Sequence, residues 1–123
     1  MNESDWIKHI FSAIDEKNTE KFMQFLDEEC SFRFANIPPV NGQEAIQQFI
    51  DGFFSSIDGL KHEILEFWPI PDGLVCHGNV TYTRHNQSEL SVPFANIFKL
   101  NNDKVRDYLI FADTSLLYAD PAN

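Results

Sequence analysis

Residues 94–113 read FANIFKLNNDKVRDYLIFAD and give the clearest indication of the fold. Two runs of apolar and aromatic residues are separated by Asn101-Asn102-Asp103, whose residue types favour a tight turn, so the stretch predicts two antiparallel strands. Along both strands the two alternating sets of side chains are largely apolar. A sheet that is apolar on both faces needs a cover on each face. We therefore predict helices over one face and a second subunit, forming a homodimer, over the other.

The chain before this stretch continues the same pattern of strands and turns. Pro71-Asp72-Gly73 and Asn86-Gln87 provide two further short turns. The four predicted strands cover residues 60–69, 73–85, 89–100 and 103–117. Short connections between long strands are typical of antiparallel neighbours in one sheet.

The first half of the chain has helical rather than extended periodicity. Apolar residues recur every 3.6 positions over 4–16, and Asn18-Thr19 predicts the cap of a short second helix. The sequence CSFRFAN (30–36) resembles a short strand. Asn41, followed three residues later by Glu44, predicts a capping box that opens a third helix. Helices followed by a run of strands indicate an α+β fold with the helices on one face of the sheet.

Length and charge narrow the range of functions. The chain has 123 residues, which is the size of one domain, with 9 basic and 19 acidic residues and a formal net charge of −10. A field of that sign repels phosphate backbones and anionic lipids, so we predict binding to neither nucleic acid nor membranes. A hydrophobic content of 43%, with 12 phenylalanines, is typical of a globular domain and excludes intrinsic disorder.

Cysteine content and targeting signals indicate the compartment. Cys30 and Cys76 are too few for a disulfide scaffold. The first residues, MNESDWIKHIF, carry charges where a signal peptide needs an uninterrupted apolar segment. No apolar run approaches the roughly 20 residues that span a bilayer. We therefore predict a cytoplasmic protein.

Three segments resemble the nuclear transport factor 2-like superfamily, within it the branch of SnoaL-like polyketide cyclases and ketosteroid isomerases. They are WIKHIFSAIDEKNTEKFMQFLDEECSFRF, NGQEAIQQFIDGFF and FANIFKLNNDKVRDYLIFAD. The resemblance implies one SnoaL-like domain over residues 1–123. It also implies a cone-shaped, strongly curved mixed or antiparallel sheet that three N-terminal helices wrap around an interior pocket, and commonly a dimer. Members include isomerases, cyclases, hydrolases and pure binding proteins, so the fold alone does not identify the function.

The catalytic positions of two branches are occupied here by residues that cannot perform the chemistry. In the steroid-isomerase type, the tyrosine and base positions correspond to Ile10 and Phe34, and the second aspartate position to Asn96. The epoxide-hydrolase positions correspond to Asn79, Thr81 and Ile110. Because none of these residues is a general acid or base, the resemblance implies neither activity.

The same alignment predicts which side chains face the pocket. The predicted ligand-binding residues are Phe34, Phe53, His77, Asn79, Thr81, Asn96, Phe98, Tyr108 and Ile110. An aromatic cavity with a few converging polar groups is the usual composition of a small-molecule site. His77 is the candidate catalytic acid or base because its ordinary pKa lies near neutral pH. Each of these residues also has a purely structural interpretation, as a core aromatic or as a paired buried polar group.

Three functions remain open from the sequence. The first is binding of a small, largely apolar molecule, of polyketide or steroid type, in an interior cavity. The second is an isomerase- or lyase-like enzyme that uses His77 with Asn96 and Tyr108 as oxygen-binding donors. The third is a protein-interaction module without a true cavity. We predict no cofactor, and no metal site, because His62, His77 and His85 lack the tight spacing of metal ligands.

Overall fold

The structure, a computed structural model, describes residues 2–118 and has three helices on one face of a curved, six-stranded sheet. The helices are α1 (Glu3–Asp15), α2 (Thr19–Met23) and α3 (Gln43–Ser55), and the strands are β1 (Leu26–Phe34), β2 (Val40–Asn41), β3 (Gly59–Ile70), β4 (Gly73–Thr83), β5 (Glu89–Asn101) and β6 (Lys104–Ala112). The α+β prediction is confirmed. The predicted strands 73–85 and 103–117 end earlier, at Thr83 and Ala112.

The sheet has the strand order β2-β1-β6-β5-β4-β3 and is not closed. The pairing of β1 with β6 is parallel, and the other pairs are antiparallel. The helices cover one face, called here the inner face, where the aromatic core lies. The opposite side of the sheet is called the outer face.

Helix starts follow local sequence signals in two cases of three. The Asn2 side chain accepts a hydrogen bond from the Asp5 backbone N–H, and Asn18 caps α2 in the same way through Lys21. The predicted capping box at Asn41 is wrong. Asn41 pairs with Ser31 as part of β2, and α3 begins after Gly42, whose φ of 86° is one that glycine adopts without strain.

Two irregularities change the alternation of side chains along the strands. In β3 the register shifts between Ile64 and Glu66, so Leu65 is bulged. Facing this bulge in β4 is Gly78, where an added Cβ would lie 1.8 Å from the carbonyl oxygen of Glu63. A second shift, between Lys99 and Leu100, bulges β6 before Asp107. The extra residue in each bulge shifts the alternation by one, so the side chains beyond the bulge point to the opposite face from the one that simple alternation predicts.

Candidate functional site

The β4 side chains predicted to face the pocket lie on the outer face. Leu74, Cys76, Val80 and Tyr82 form the buried set of this strand instead. The inward placement of His77, Asn79 and Thr81 is therefore wrong. The reason is desolvation: burying a row of polar side chains costs more than burying the apolar set one position away.

On the outer face the three polar side chains have partners of their own. His77 Nε2 lies 3.2 Å from a carboxylate oxygen of Glu66, and its ring stacks on Trp68 at 5.5 Å. Thr81 Oγ1 lies 2.7 Å from Ser91 Oγ. Asn79 is exposed beside these groups. Because the helices cover the other face, none of these residues can touch a ligand in the interior.

The interior contains a cavity of about 40 Å³ on the helix-covered side of the sheet. Its aromatic lining residues are Phe22, Phe32, Phe34, Phe53, Phe54, Tyr82, Phe94 and Tyr108, and Ile110 also lines it. Its other polar side chains are His62 and Asn96. Phe98 is fully buried but belongs to the core outside the cavity, where its ring packs on Trp6, Phe11 and Tyr108.

Asn96 is the unusual polar group of this cavity. It is 2% exposed, and its side-chain oxygen Oδ1 has no hydrogen-bond partner within residues 2–118. A buried acceptor without a donor destabilises a protein by about 1–3 kcal/mol. Its position in the middle of β5, opposite Cys76 and Ile110, holds the oxygen among apolar neighbours.

His62, on β3, lines the cavity, and the sequence analysis did not predict this position. Its ring nitrogen Nδ1 lies 2.6 Å from Asp15 Oδ1, and its backbone N–H donates to Asp15 Oδ2 at 2.9 Å. Asp15 is the last residue of α1, so this pair ties the helix to the sheet. The ring packs between Phe11 and Phe94. A sequence signal was present, because His62 alternates with the inward-facing Leu60 and Ile64.

The His62–Asp15 pair has a defined chemistry. An ionised carboxylate only accepts hydrogen bonds, so Nδ1 carries the hydrogen that points at Asp15. In the neutral ring, Nε2 is then a lone-pair acceptor, and no residue in the range 2–118 forms a hydrogen bond with it. A histidine oriented by a carboxylate, with its second nitrogen available, has the arrangement of a general base.

The other ionisable side chains inside the core are unsuited to nucleophilic chemistry. Burial raises the pKa of the Cys30 and Cys76 thiols to about 12, so both remain protonated at neutral pH. Burial also raises the pKa of the Tyr108 hydroxyl well above its usual range, and the group stays a neutral donor. Between Asn2 and Tyr118, no three His, Cys, Asp or Glu side chains are grouped to hold a metal ion.

Comparison with known proteins identifies the family. The sequence profile of the SnoaL-like domain matches residues 7–108. The chain belongs to the SnoaL-like domain family. No curated protein sequence matches it. None of the helices among the described residues has the length and apolar character needed to cross a membrane.

Solved structures of SnoaL-like and related proteins share the fold at low sequence identity. An NTF2-like protein of unknown function from Burkholderia pseudomallei has a TM-score of 0.84 and 14% identity, with 95% of each chain covered. A SnoaL-like protein from Shewanella denitrificans has a TM-score of 0.80 and 11% identity, with 94% of this chain and 93% of that chain covered. TerC, co-crystallised with polyporic acid, has a TM-score of 0.79 and 13% identity, with 94% of each chain covered.

Proposed function

We propose that this SnoaL-like protein binds a small, largely apolar molecule in its interior cavity, with a hydroxyl group of the ligand at Asn96. The observation that carries the proposal is the unpartnered Asn96 Oδ1 inside an otherwise aromatic lining. An acceptor in that position favours a ligand that brings a hydrogen-bond donor. None of the described lining residues is Lys or Arg, and the chain carries a net charge of −10, so an anionic ligand is disfavoured.

The size of the cavity limits which part of the ligand it holds. Sites for drug-sized molecules occupy roughly 300–1,000 Å³, whereas this cavity has about 40 Å³. It accommodates the hydroxyl end of a ligand, or one or two waters, and an aromatic ring fits only after a lining side chain, such as the partly buried Phe53, turns aside. A whole polyketide or steroid does not fit. The ligand-binding roles of Phe34, Phe53, Asn96, Tyr108 and Ile110, which line this cavity, are part of the proposal.

Replacement of Asn96 by leucine tests the proposal with two probes, phenol and benzene, which differ by one hydroxyl. We expect the wild-type protein to bind phenol about fivefold more tightly than benzene, because one hydrogen bond contributes roughly 1 kcal/mol. Asn96→Leu removes this preference. It also raises the free energy of unfolding by about 1 kcal/mol or more, because the unpartnered acceptor is gone. Calorimetric titration and urea unfolding measure the two effects.

Asn79→Leu is the matched control, because Asn79 carries the same side chain on the outer face. It should change neither the phenol preference nor, by more than about 0.5 kcal/mol, the stability. If wild-type protein binds neither probe, or if phenol binding is unchanged in Asn96→Leu, the proposed site is wrong. Water in the cavity is then the better explanation of how Asn96 Oδ1 is satisfied.

A second candidate function, acid–base catalysis, is favoured by the His62–Asp15 pair. His77 was the sequence-based candidate, and its place on the outer face transfers that role to His62. In this scheme Nε2 of His62 takes a proton from a carbon next to a ligand carbonyl and returns it to the same or a neighbouring carbon. Asp15 orients the ring and stabilises the imidazolium that forms.

Hydrogen–deuterium exchange at the α carbons of cyclopentanone in D₂O tests this chemistry without knowledge of the natural substrate. We expect exchange catalysed by wild-type protein, and a rate about 100-fold lower in His62→Gln, the usual scale of general-base catalysis. The control, His77→Gln, makes the same change on the outer face and should leave the rate unaltered. NMR follows the exchange. A wild-type rate equal to that of buffer would remove the enzymatic candidate and leave binding.

We further propose that the protein is a homodimer through the outer face. One row of paired residues crosses four strands there, and its members are Trp68, Val75, Ile97 and Leu109. Phe111 extends this apolar patch, and both Trp68 and Phe111 are about half exposed. A contiguous apolar patch on a sheet is typical of an interaction surface. A second copy presents the same patch around a twofold axis.

We also place the protein in the cytoplasm, which fits its two buried, unpaired cysteines.

A further inference from the structure

A groove between the first two helices and two hairpin turns, called here the turn groove, is separate from the interior cavity. It has a volume of about 770 Å³, which lies within the range of roughly 300–1,000 Å³ that small-molecule sites occupy. Its walls come from α1, from α2 and the residues after it, and from the turns that join β3 to β4 and β5 to β6. No described residue lines both spaces. The turn groove is therefore a second candidate site.

The lining of the turn groove contains two aromatic rings in fixed positions. Trp6 and Phe25 are both partly buried, with ring centroids 5.9 Å apart and ring planes nearly perpendicular. The Trp6 ring also packs at 5.0 Å against the fully buried Phe98, which holds the indole in place. Leu74 and Leu100 add apolar surface beside the rings. An indole next to a phenyl ring provides edge and face contacts for an aromatic ring of a ligand.

Hydrogen bonds and an ion pair fix the walls of the turn groove. The Leu100 backbone N–H donates to the Asp72 carbonyl at 2.7 Å, which ties one turn to the other. The Val105 N–H donates to the Phe25 carbonyl at 2.8 Å and ties β6 to the segment after α2. The Lys99 ammonium lies 3.5 Å from the Asp72 carboxylate and partly neutralises it. A site with preformed walls binds its ligand at a lower ordering cost.

Charges of both signs border the turn groove. Two ammonium groups lie on its α2 side: Lys21 belongs to α2, and Lys104 donates a hydrogen bond to the carbonyl of Gln24, the residue that caps α2. Carboxylates come from other elements, Glu3 from the first turn of α1 and Asp103 from the turn between β5 and β6. A lining with both signs is complementary to a ligand that carries an ammonium and a carboxylate together.

We infer that the turn groove binds a small aromatic zwitterion of the amino-acid type. The aromatic ring packs against Trp6 and Phe25, the ligand carboxylate pairs with Lys21, and the ligand ammonium pairs with Glu3. Lys21 lies 3.5 Å from Glu16, and both side chains are about half exposed, so this ion pair is weak and a ligand carboxylate replaces it at little cost. The net charge of −10 attracts the ammonium group, and the lysines supply the local positive charge that the carboxylate requires.

Titration with L-phenylalanine, followed through the indole N–H signals in an NMR spectrum, tests the inference. The chain has two tryptophans. We expect the Trp6 signal to shift until it saturates and the signal of Trp68, which does not line the groove, to stay in place. A Trp68→Phe variant assigns the two signals. Phenethylamine lacks the carboxylate and 3-phenylpropanoate lacks the ammonium, so each should bind about fivefold more weakly, which corresponds to one exposed charge pair.

Substitutions at the two charged walls separate the two halves of the zwitterion. Lys21→Gln should weaken L-phenylalanine binding by about fivefold and leave phenethylamine binding unchanged. Glu3→Gln should weaken L-phenylalanine binding to a similar extent and leave 3-phenylpropanoate binding unchanged. The matched controls are Glu44→Gln, in the first turn of α3, and Lys61→Gln, an exposed residue of β3. Neither control residue lines the groove, so neither substitution should alter any of the three affinities.

Three results would overturn the inference. The first is a Trp6 signal that does not move in millimolar L-phenylalanine, and the second is equal affinity for the three compounds, which would show that the charges select no zwitterion. The third is loss of L-phenylalanine binding in Asn96→Leu, because Asn96 lies in the interior cavity and outside the turn groove. Phenol binding in the interior and L-phenylalanine binding in the turn groove are therefore tested independently.

Discussion

Alanine at position 78 is expected to lower the free energy of unfolding by about 3 kcal/mol, near the upper end of what overpacking costs. The added methyl group would lie 1.8 Å from the Glu63 carbonyl oxygen, and that neighbour is backbone, which no side-chain rotation can move. The two strands must separate beside the bulge at Leu65 to accommodate it. Urea unfolding followed by circular dichroism measures the change.

The control for this prediction is the same substitution at Gly52. The position is helical and open, so alanine there should raise the free energy of unfolding by about 0.5–1 kcal/mol through its higher helix propensity. The two alanine substitutions should therefore change the free energy of unfolding in opposite directions. Equal stabilities would contradict the close approach of β3 and β4 at Gly78.

Glutamate at position 97 is expected to dissociate the proposed dimer. Ile97 lies in the middle of the apolar row on the outer face, between Val75 and Leu109. A twofold axis through this row brings the two introduced carboxylates together in an apolar contact, which should raise the dissociation constant by about 100-fold or more. Sedimentation equilibrium at micromolar protein should give a dimer for wild type and a monomer for Ile97→Glu.

Ser91→Glu is the control, since Ser91 is an exposed residue of the same strand beyond the apolar rows. It should leave the dimer intact. The wild-type measurement also bears on the proposal directly, because a monomeric mass at micromolar concentration would show that the outer face binds no second copy. In that case the half-exposed Trp68 and Phe111 need a different partner.

Hydrophobic periodicity predicted the three helices and the five longer strands, but it predicted neither the short strand β2 nor the side-chain register of β4. The helical and strand patterns lie where the structure has them, because each element buries one continuous apolar set. In β4 the alignment to the family favoured the set that contains His77, although Leu74, Val80 and Tyr82 form the more apolar set. In β4 the more apolar set of side chains is the buried one. An alignment that is wrong by one residue exchanges the two faces of the strand, and this is how His77 was assigned to the interior.

The His62–Asp15 pair illustrates what local reasoning cannot supply. The two residues are 47 positions apart and meet only because α1 packs across β3. The bulge at Leu65 also changes the alternation within β3, so counting from Phe67 or Trp68 places His62 on the wrong face. By contrast, Asn96 lies in a regular strand between inward-facing Phe94 and Phe98, and alternation alone gives its direction.

The parallel pairing of β1 with β6 has a consequence for how the protein is made. Phe32 in β1 pairs with Tyr108 in β6. Of the six strands, β1 is synthesised first, and its partner β6 is synthesised last. Synthesis proceeds at about 5–20 residues per second, which leaves the apolar side chains of β1 and α3 without their sheet for several seconds. The nascent helices have no β6 to complete their core during that time. This protein therefore completes its core after translation of β6 rather than progressively from its N-terminus.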